Sequence, residues 1–282
     1  MYSLSVKNKY GATLQLSGNT AYDVLSITGL TPAGATINTD IVAAADGERF
    51  NSARVNTRNI VITLGYRLHV EDKRIALYQF FKPKQPVVLH YTNTHRDVYI
   101  EGYVETFEGN IFQRGQKAQI SILCPQPYFK AIDDVVTEFA SINSALEFPV
   151  EFQEAGIPFS TIDSYLEKDI INYGDAESGA IIKLNARGSV TNPSIYNLTT
   201  GEQFAVNISL TTGDEITINT NSGQKRITLK SGGVTTNIIN SVARGSSWFT
   251  LVAGDNIFSY TADSGLINLD VTFYTTPLYE GV

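Results

Sequence analysis

The sequence predicts a mainly β chain: short strands with one helix and a projecting arm in the first half, then a β-sandwich. Three observations carry that prediction. Tyr (15), Phe (14) and Gly (22) are plentiful among the 282 residues, a mixture that favours strands joined by tight turns. Short apolar runs recur along the whole chain, each closed by Gly, Pro, Asn or Asp. Only one stretch spaces its apolar residues as a helix does. The length suits about two domains, each with its own core.

The elements follow in order. YSLSVKN and ATLQLS flank KYG and read as a hairpin with Gly11 in its turn. YDVLSITGL supplies the next strand. Residues Thr31 to Asn59 then lack core periodicity, with turns at Pro32–Gly34 and Asp46–Gly47. Such a stretch inside a compact domain commonly serves binding, and it reads as a long projecting hairpin. NIVITLGY, Asn59 to Tyr66, is a strand. VEDKRIALYQFF is the helix: Glu71 and Asp72 complement its dipole, Val70, Leu77, Tyr78 and Phe81 form its stripe, and Pro83 stops it. PVVLHY, DVYIEGYVETFEG and KAQISILC give three more strands. In the last of these Ala118, Ile120, Ile122 and Cys124 share a face. The sole cysteine therefore reads as a small buried hydrophobe at the end of a strand, stopped by Pro125 and Pro127.

Residues 130–165 are irregular and acidic and mark the domain boundary. Beyond them AIIKLNA, EQFAVNISL, DEITINT, KRITLKS, SWFTLV, NIFSYTA and LINLDVTFYT alternate with turn signals, a spacing that indicates a sandwich. The expected organisation is a first domain over 1–129 with the arm at 31–59, an acidic linker over 130–165, and a β-sandwich over 166–282.

The net charge is −7, which argues against a nucleic-acid binder. It is uneven: 1–129, 130–180 and 181–282 carry +3, −9 and −1. MYSLSVKNKY lacks the apolar core of a signal peptide. No run approaches the roughly 20 apolar residues of a membrane span. Folding in a cytoplasm without disulfides is expected.

Catalytic patterns are scarce. Histidine occurs only at 69, 90 and 95, so the second domain has no Ser-His-Asp or Cys-His site of its own. His90, His95 and Asp97 bracket a turn, yet a metal there needs further ligands; an ordinary hairpin is expected. Glu147, Glu151 and Glu154 are the nearest approach to a paired-carboxylate site. No phosphate-binding glycine loop or EF-hand spacing is present. Neither a catalytic residue, a metal nor a cofactor is expected. Trp248 reads as a core residue, with sugar stacking as the alternative. In the arm, Arg49, Phe50, Arg54 and Arg58 cluster, and Arg with aromatic residues is what anchors interfaces.

The series ITGLTPAGATINT, DGERFNSARVNTRNIVITL, YQFFKPKQPVVLHY and YIEGYVETFEGNIFQRGQKAQISILCPQPYF resembles the N-terminal domain of phage distal tail (Dit) proteins. IINYGDAESGAIIKL, NPSIYNLTTGEQF, GDEITINTNSGQKRITL and the terminal YEGV resemble the C-terminal half of that family. The resemblance implies a tube-protein-like β-sandwich with a helix, then a galectin-like β-sandwich. It implies a structural role, with six copies forming a ring at the tail tip. The ring would join the tail tube protein to the tail-associated spike or lysin and carry receptor-binding or baseplate proteins. DNA would meet it only in transit, and assembly would occur in the cytoplasm of the bacterial host. Residues Thr31–Asn59 would be the belt around a neighbouring subunit, with Arg49, Phe50, Arg54 and Arg58 as interface residues. A contractile tail or a bacteriocin is the alternative machine, and a lectin-like tail protein the alternative function.

Overall fold

Alternation of apolar and polar residues decides the first half of the molecule. The computed structural model describes every residue except 1, 19–20, 42–45, 68, 113–114, 145–159 and 165–166; for 140–144 and 160–164 it describes the strands alone. The chain divides into two compact units, 1–132 with 278–282, and 133–277.

The first unit contains β1 (Ser3–Asn8), β2 (Thr13–Gln15), β3 (Tyr22–Thr28), β4 (Ala35–Ile41), β5 (Glu48–Val55), β6 (Arg58–Tyr66), α1 (Val70–Phe80), β7 (Pro86–Thr92), β8 (Asp97–Gly109), β9 (Lys117–Cys124) and β10 (Phe129–Ala131). Seven of them form an antiparallel sheet in the order β2-β1-β7-β8-β9-β6-β3. β10 adds to β8, and the strand Leu278–Tyr279 pairs with β10, making nine strands in all. One face of this sheet supplies the core: Leu4 and Val6 from β1, Ile60, Ile62 and Leu64 from β6, Ile120, Ile122 and Cys124 from β9. Each such side chain contributes roughly 1.5–3 kcal/mol by leaving water. The helix falls where its stripe predicts, with Leu77 and Phe81 in the core. Tyr78 sits at the rim instead, its ring edge-on to Phe107 at 4.9 Å.

The second unit is a sandwich. A six-stranded sheet runs Val135–Glu138, Leu269–Thr275, Ala180–Ala186, Glu215–Asn219, Arg226–Ser231, Val234–Asn237. A four-stranded sheet runs Glu167–Asn172, Gly254–Thr261, Ser194–Asn197, Glu202–Ala205. Ile182 and Phe273 from the first sheet meet Ile170, Ile195 and Phe258 from the second in one core.

Three expectations are corrected. Most of the described part of 130–165 is strand, not irregular linker, because Val135–Glu138 pairs with Leu269–Thr275 as the edge of the larger sheet and 140–144 pairs with 160–164; Glu147, Glu151 and Glu154 lie outside the described residues. SWFTLV is not a strand. Phe249 and Leu251 are buried, but the backbone is tied to its neighbours by the isolated bridge from Leu251 to Ser178 and by Ser247 N–H donating to Gln203 O at 2.8 Å, not by a ladder. Residues 278–282 leave the sandwich and complete the first unit.

Candidate subunit interface

The arm is an antiparallel hairpin of β4 and β5, a sheet of its own with no third strand. Such a ribbon is marginal alone and exposes its side chains. All of β5 and nearly all of β4 are exposed. What matters is which residues share a face. Ala35 faces Val55 and Ile37 faces Ala53, whereas Thr36 faces Arg54 and Asn38 faces Ser52. Between Asn38 and Thr39 the register shifts, so Thr39 faces Phe50 and Asp40 faces Arg49. Asn51 is the extra residue of a bulge, and one extra residue moves everything after it to the opposite face.

The bulge gathers the larger apolar residues of the arm on one face. Ile37, Ile41, Phe50 and Val55 share it with Ala35, Ala53 and the hydrogen-bonded pair Thr39 and Glu48, at exposures of 63, 83, 62 and 40% for the four larger apolar residues. The other face carries Thr36, Asn38, Asp40, Arg49, Ser52 and Arg54. Two hydrogen bonds on it hold the ribbon: Asn38 Nδ2 donates to Ser52 Oγ at 3.0 Å, and Thr36 Oγ1 to Asn56 Oδ1 at 2.7 Å. Without the bulge Arg49 would stand among the isoleucines and Phe50 among the polar residues. Ile37 and Ile41 escaped the sequence reading because their face is set by the register of their partner strand.

Arg58, grouped with these residues from sequence, is corrected. It is 2% exposed. Its position opposite Cys124 on β9 puts it on the inward face of β6. The guanidinium donates to four carbonyl oxygens: Pro127 at 2.6 Å through Nε, Gly29 and Thr31 at 2.5 and 2.6 Å through Nη1, and Glu280 through Nη2. It lies over the Phe129 ring at 4.7 Å. A charge so committed is unavailable to a neighbouring subunit.

The HYTNTH turn makes a hairpin between β7 and β8. Asn93 Oδ1 accepts the backbone N–H of His95 and of Arg96, both at 2.8 Å. The product of that turn is Arg96, which the sequence reading missed: its Nη1 donates to Gly281 O at 2.8 Å and it lies over the Tyr279 ring at 4.3 Å. Among the described residues no three His, Cys, Asp or Glu side chains gather as a metal site would need. No helix among them is long and apolar enough to cross a membrane. Trp248 is half-buried on the core of the sandwich, edge-on to Phe204 at 4.9 Å, and is packed as a structural residue.

Comparison with known proteins follows the same division. Residues 173–276, within the second unit, match the family described as siphovirus-type tail component, C-terminal domain (SPP1_Dit). No curated protein matches by sequence. The fold of the chain is that of the Dit protein of phage SPP1 (TM-score 0.69, 13% identity, 98% of each chain covered), whose structure is described as a paradigm of hub adsorption apparatus in phages infecting Gram-positive hosts. It is also similar to chains of the phage p2 baseplate in its activated conformation, with Sr (TM-score 0.54, 10% identity) and with Ca (TM-score 0.52, 12% identity), over 100% of each chain. Residues 173–276 thus match the C-terminal domain of the siphovirus-type tail components, and nearly the whole chain shares its fold with the Dit protein of phage SPP1.

Proposed function

We propose that this chain is the structural hub of a phage tail tip, forming a ring that joins the tail tube to the spike or lysin and to host-adhesion proteins. One observation carries the reading: the hairpin arm bears Ile37, Ile41 and Phe50 exposed together on one face. Scattered exposed apolar residues need no explanation, but a contiguous set on a projecting element marks a protein contact. Six copies arranged in a ring let each arm lie on the next subunit. Arg49 and Arg54, on the opposite face, then form the polar rim, where charge governs association rate and register more than affinity. Likeness to baseplate chains supports tail location and contact with other tail proteins. Tail tube, spike or lysin, and adhesin are the proposed partners.

The test is the oligomeric state of the purified chain, alone and co-expressed with neighbouring tail proteins, by light scattering and electron microscopy. Rings are expected, and Ile37→Ser with Phe50→Ser is expected to dissolve them while each subunit stays folded. A chain monomeric in both preparations, with its arm cut readily by protease throughout, contradicts the reading.

A further inference from the structure

The root of the arm is held by residues from the far end of the sequence. β3 runs into Gly29, whose φ of +85° belongs to the left-handed region and where a Cβ would lie 2.1 Å from Asn59 O. Only glycine fits there, so the chain turns out of the sheet hard against β6. Leu30, Thr31 and Pro32 follow before the hairpin begins. Each meets the segment 280–282 directly or through Arg58. Val282 N–H donates to Leu30 O at 3.1 Å. Arg58 bridges the carbonyls of Gly29 and Thr31 to that of Glu280. A Cβ on Gly281 would lie 3.1 Å from Leu30 O and 3.2 Å from Pro32 Cδ. The segment is itself fixed by Arg96, through Gly281 O and the Tyr279 ring.

We propose that Arg58 and residues 280–282 form a latch that sets the direction in which the arm leaves its subunit, making Arg58 and Gly281 positioning residues for subunit association. A ribbon exposed along both of its strands takes its direction from its root. The β4–β5 ladder stiffens the arm but does not orient it. At the other end of the ribbon's base Asn56 N–H donates to Gly34 O at 2.9 Å and Asn56 Oδ1 accepts from Thr36 Oγ1 at 2.7 Å, and both bonds travel with the arm. Orientation therefore comes from Gly29, fixed against β6, and from the carbonyls that Arg58 holds. Guanidinium suits the task because its planar fork reaches several acceptors at once, which an ammonium on a flexible stem does not.

The inference rests on the arm reading above for its link to assembly, but the latch itself is testable without it. Hydrogen exchange, melting temperature and light scattering would be measured on the full chain as wild type, Arg58→Lys, Arg58→Met, Gly281→Val, and the arm-face pair Ile37→Ser with Phe50→Ser. Gly281→Val keeps the core intact and pushes on the root alone. It and Arg58→Lys are expected to raise exchange at the Val282 amide, which donates to Leu30 O, at least tenfold. In Gly281→Val, exchange in β7 and β9 and the melting temperature stay near wild type, whereas Arg58→Lys also lowers the melting temperature because it leaves buried carbonyls without donors. Both variants are expected to weaken association about tenfold. If Arg58→Met does not fold, Gly281→Val still decides. Root exchange unchanged in Gly281→Val and Arg58→Lys overturns the latch. Faster root exchange with undiminished association, in a protein whose arm-face pair does lose association, overturns the link to assembly. An arm-face pair that assembles normally removes the arm reading alone, and the exchange result then stands for the latch by itself.

Discussion

Arg58 and Cys124 face each other across β6 and β9 in the interior of the first unit. Burial pushes the thiol up to about 11, with the guanidinium pulling the other way. A thiol whose folded value is raised gives stability that is fully present below its ordinary value. That stability is lost as pH rises from about 9 through about 11, because the unfolded chain ionises first. Thermal melts between pH 8 and 11 should therefore show alkaline destabilisation that Cys124→Ala reduces, by on the order of 2–3 kcal/mol at the upper limit. A thiol reagent at neutral pH should label the folded chain far more slowly than the unfolded one. Arg58 makes the larger contribution. Replacing it with Met leaves buried carbonyls without donors and should cost about 3–5 kcal/mol, measured by denaturant unfolding; a loss under about 1 kcal/mol would mean that water replaces the guanidinium easily. The inward position of both residues was legible. Arg58, Ile60, Ile62 and Leu64 alternate as Ala118, Ile120, Ile122 and Cys124 do, and that alternation points Arg58 inward. What misled was residue type, since charged side chains are rarely buried and Arg in an arm reads as an interface anchor. The partners that make its burial tolerable come from four separate stretches of chain and have no local signal.

At the scale of elements, the extent of the arm was visible and its chemistry was not. Absence of core periodicity over 31–59 marks a segment that leaves the body, and the strands at 35–41 and 48–55 project as one ribbon. The two faces depend on pairing register, which a bulge shifts by one residue and which no single strand encodes. Exchanging two neighbours makes a direct test. Arg49→Phe with Phe50→Arg puts the guanidinium on the apolar face and the aromatic ring on the polar one, with composition unchanged. Association should fall at least as far as in the Phe50→Ser variant, with the melting temperature of the body unaltered. Equal association in the exchanged variant would show that the number of apolar residues matters and their shared face does not. The helix was the easier reading, because Leu77 and Phe81 lie one turn apart and Pro83 fixes its end. The SWFTLV segment was harder. Phe249 and Leu251 point inward with strand-like spacing, but backbone pairing requires a neighbour with open hydrogen bonds, and sequence does not show where sheet edges lie.

At the scale of the whole molecule, the second unit is an insertion in the first. Chain leaves at 132 and returns at 278, and the two crossing points are adjacent because Lys130 pairs with Leu278 and Phe129 with Tyr279 in an antiparallel ladder. A composition change marked the outward boundary near 130. The return had no comparable sign, since Leu278 and Tyr279 continue the apolar alternation of the strand before them. Antiparallel neighbours can be joined by a turn of two to about five residues, so residues 133–277 should be replaceable by a short Asn-Gly turn. That excised chain should fold cooperatively, since one continuous core serves the first unit and every strand of its sheet is retained. Residues 1–132 alone should fare worse. They lose the strand 278–279, the acceptors for Arg58 and Arg96 at 280 and 281, and the apolar contacts of Tyr279 and Val282 with the core. A deficit of ~2–3 kcal/mol lowers the melting temperature by on the order of 10 °C in a unit of this size. Comparing the two by calorimetry isolates the contribution of five residues that lie 145 positions away in sequence from the boundary they close. If both melt alike, the segment is decoration on a finished sheet. If the excised chain also associates as the full chain does, ring formation belongs to the first unit, and the inserted sandwich is free to vary with whatever it carries.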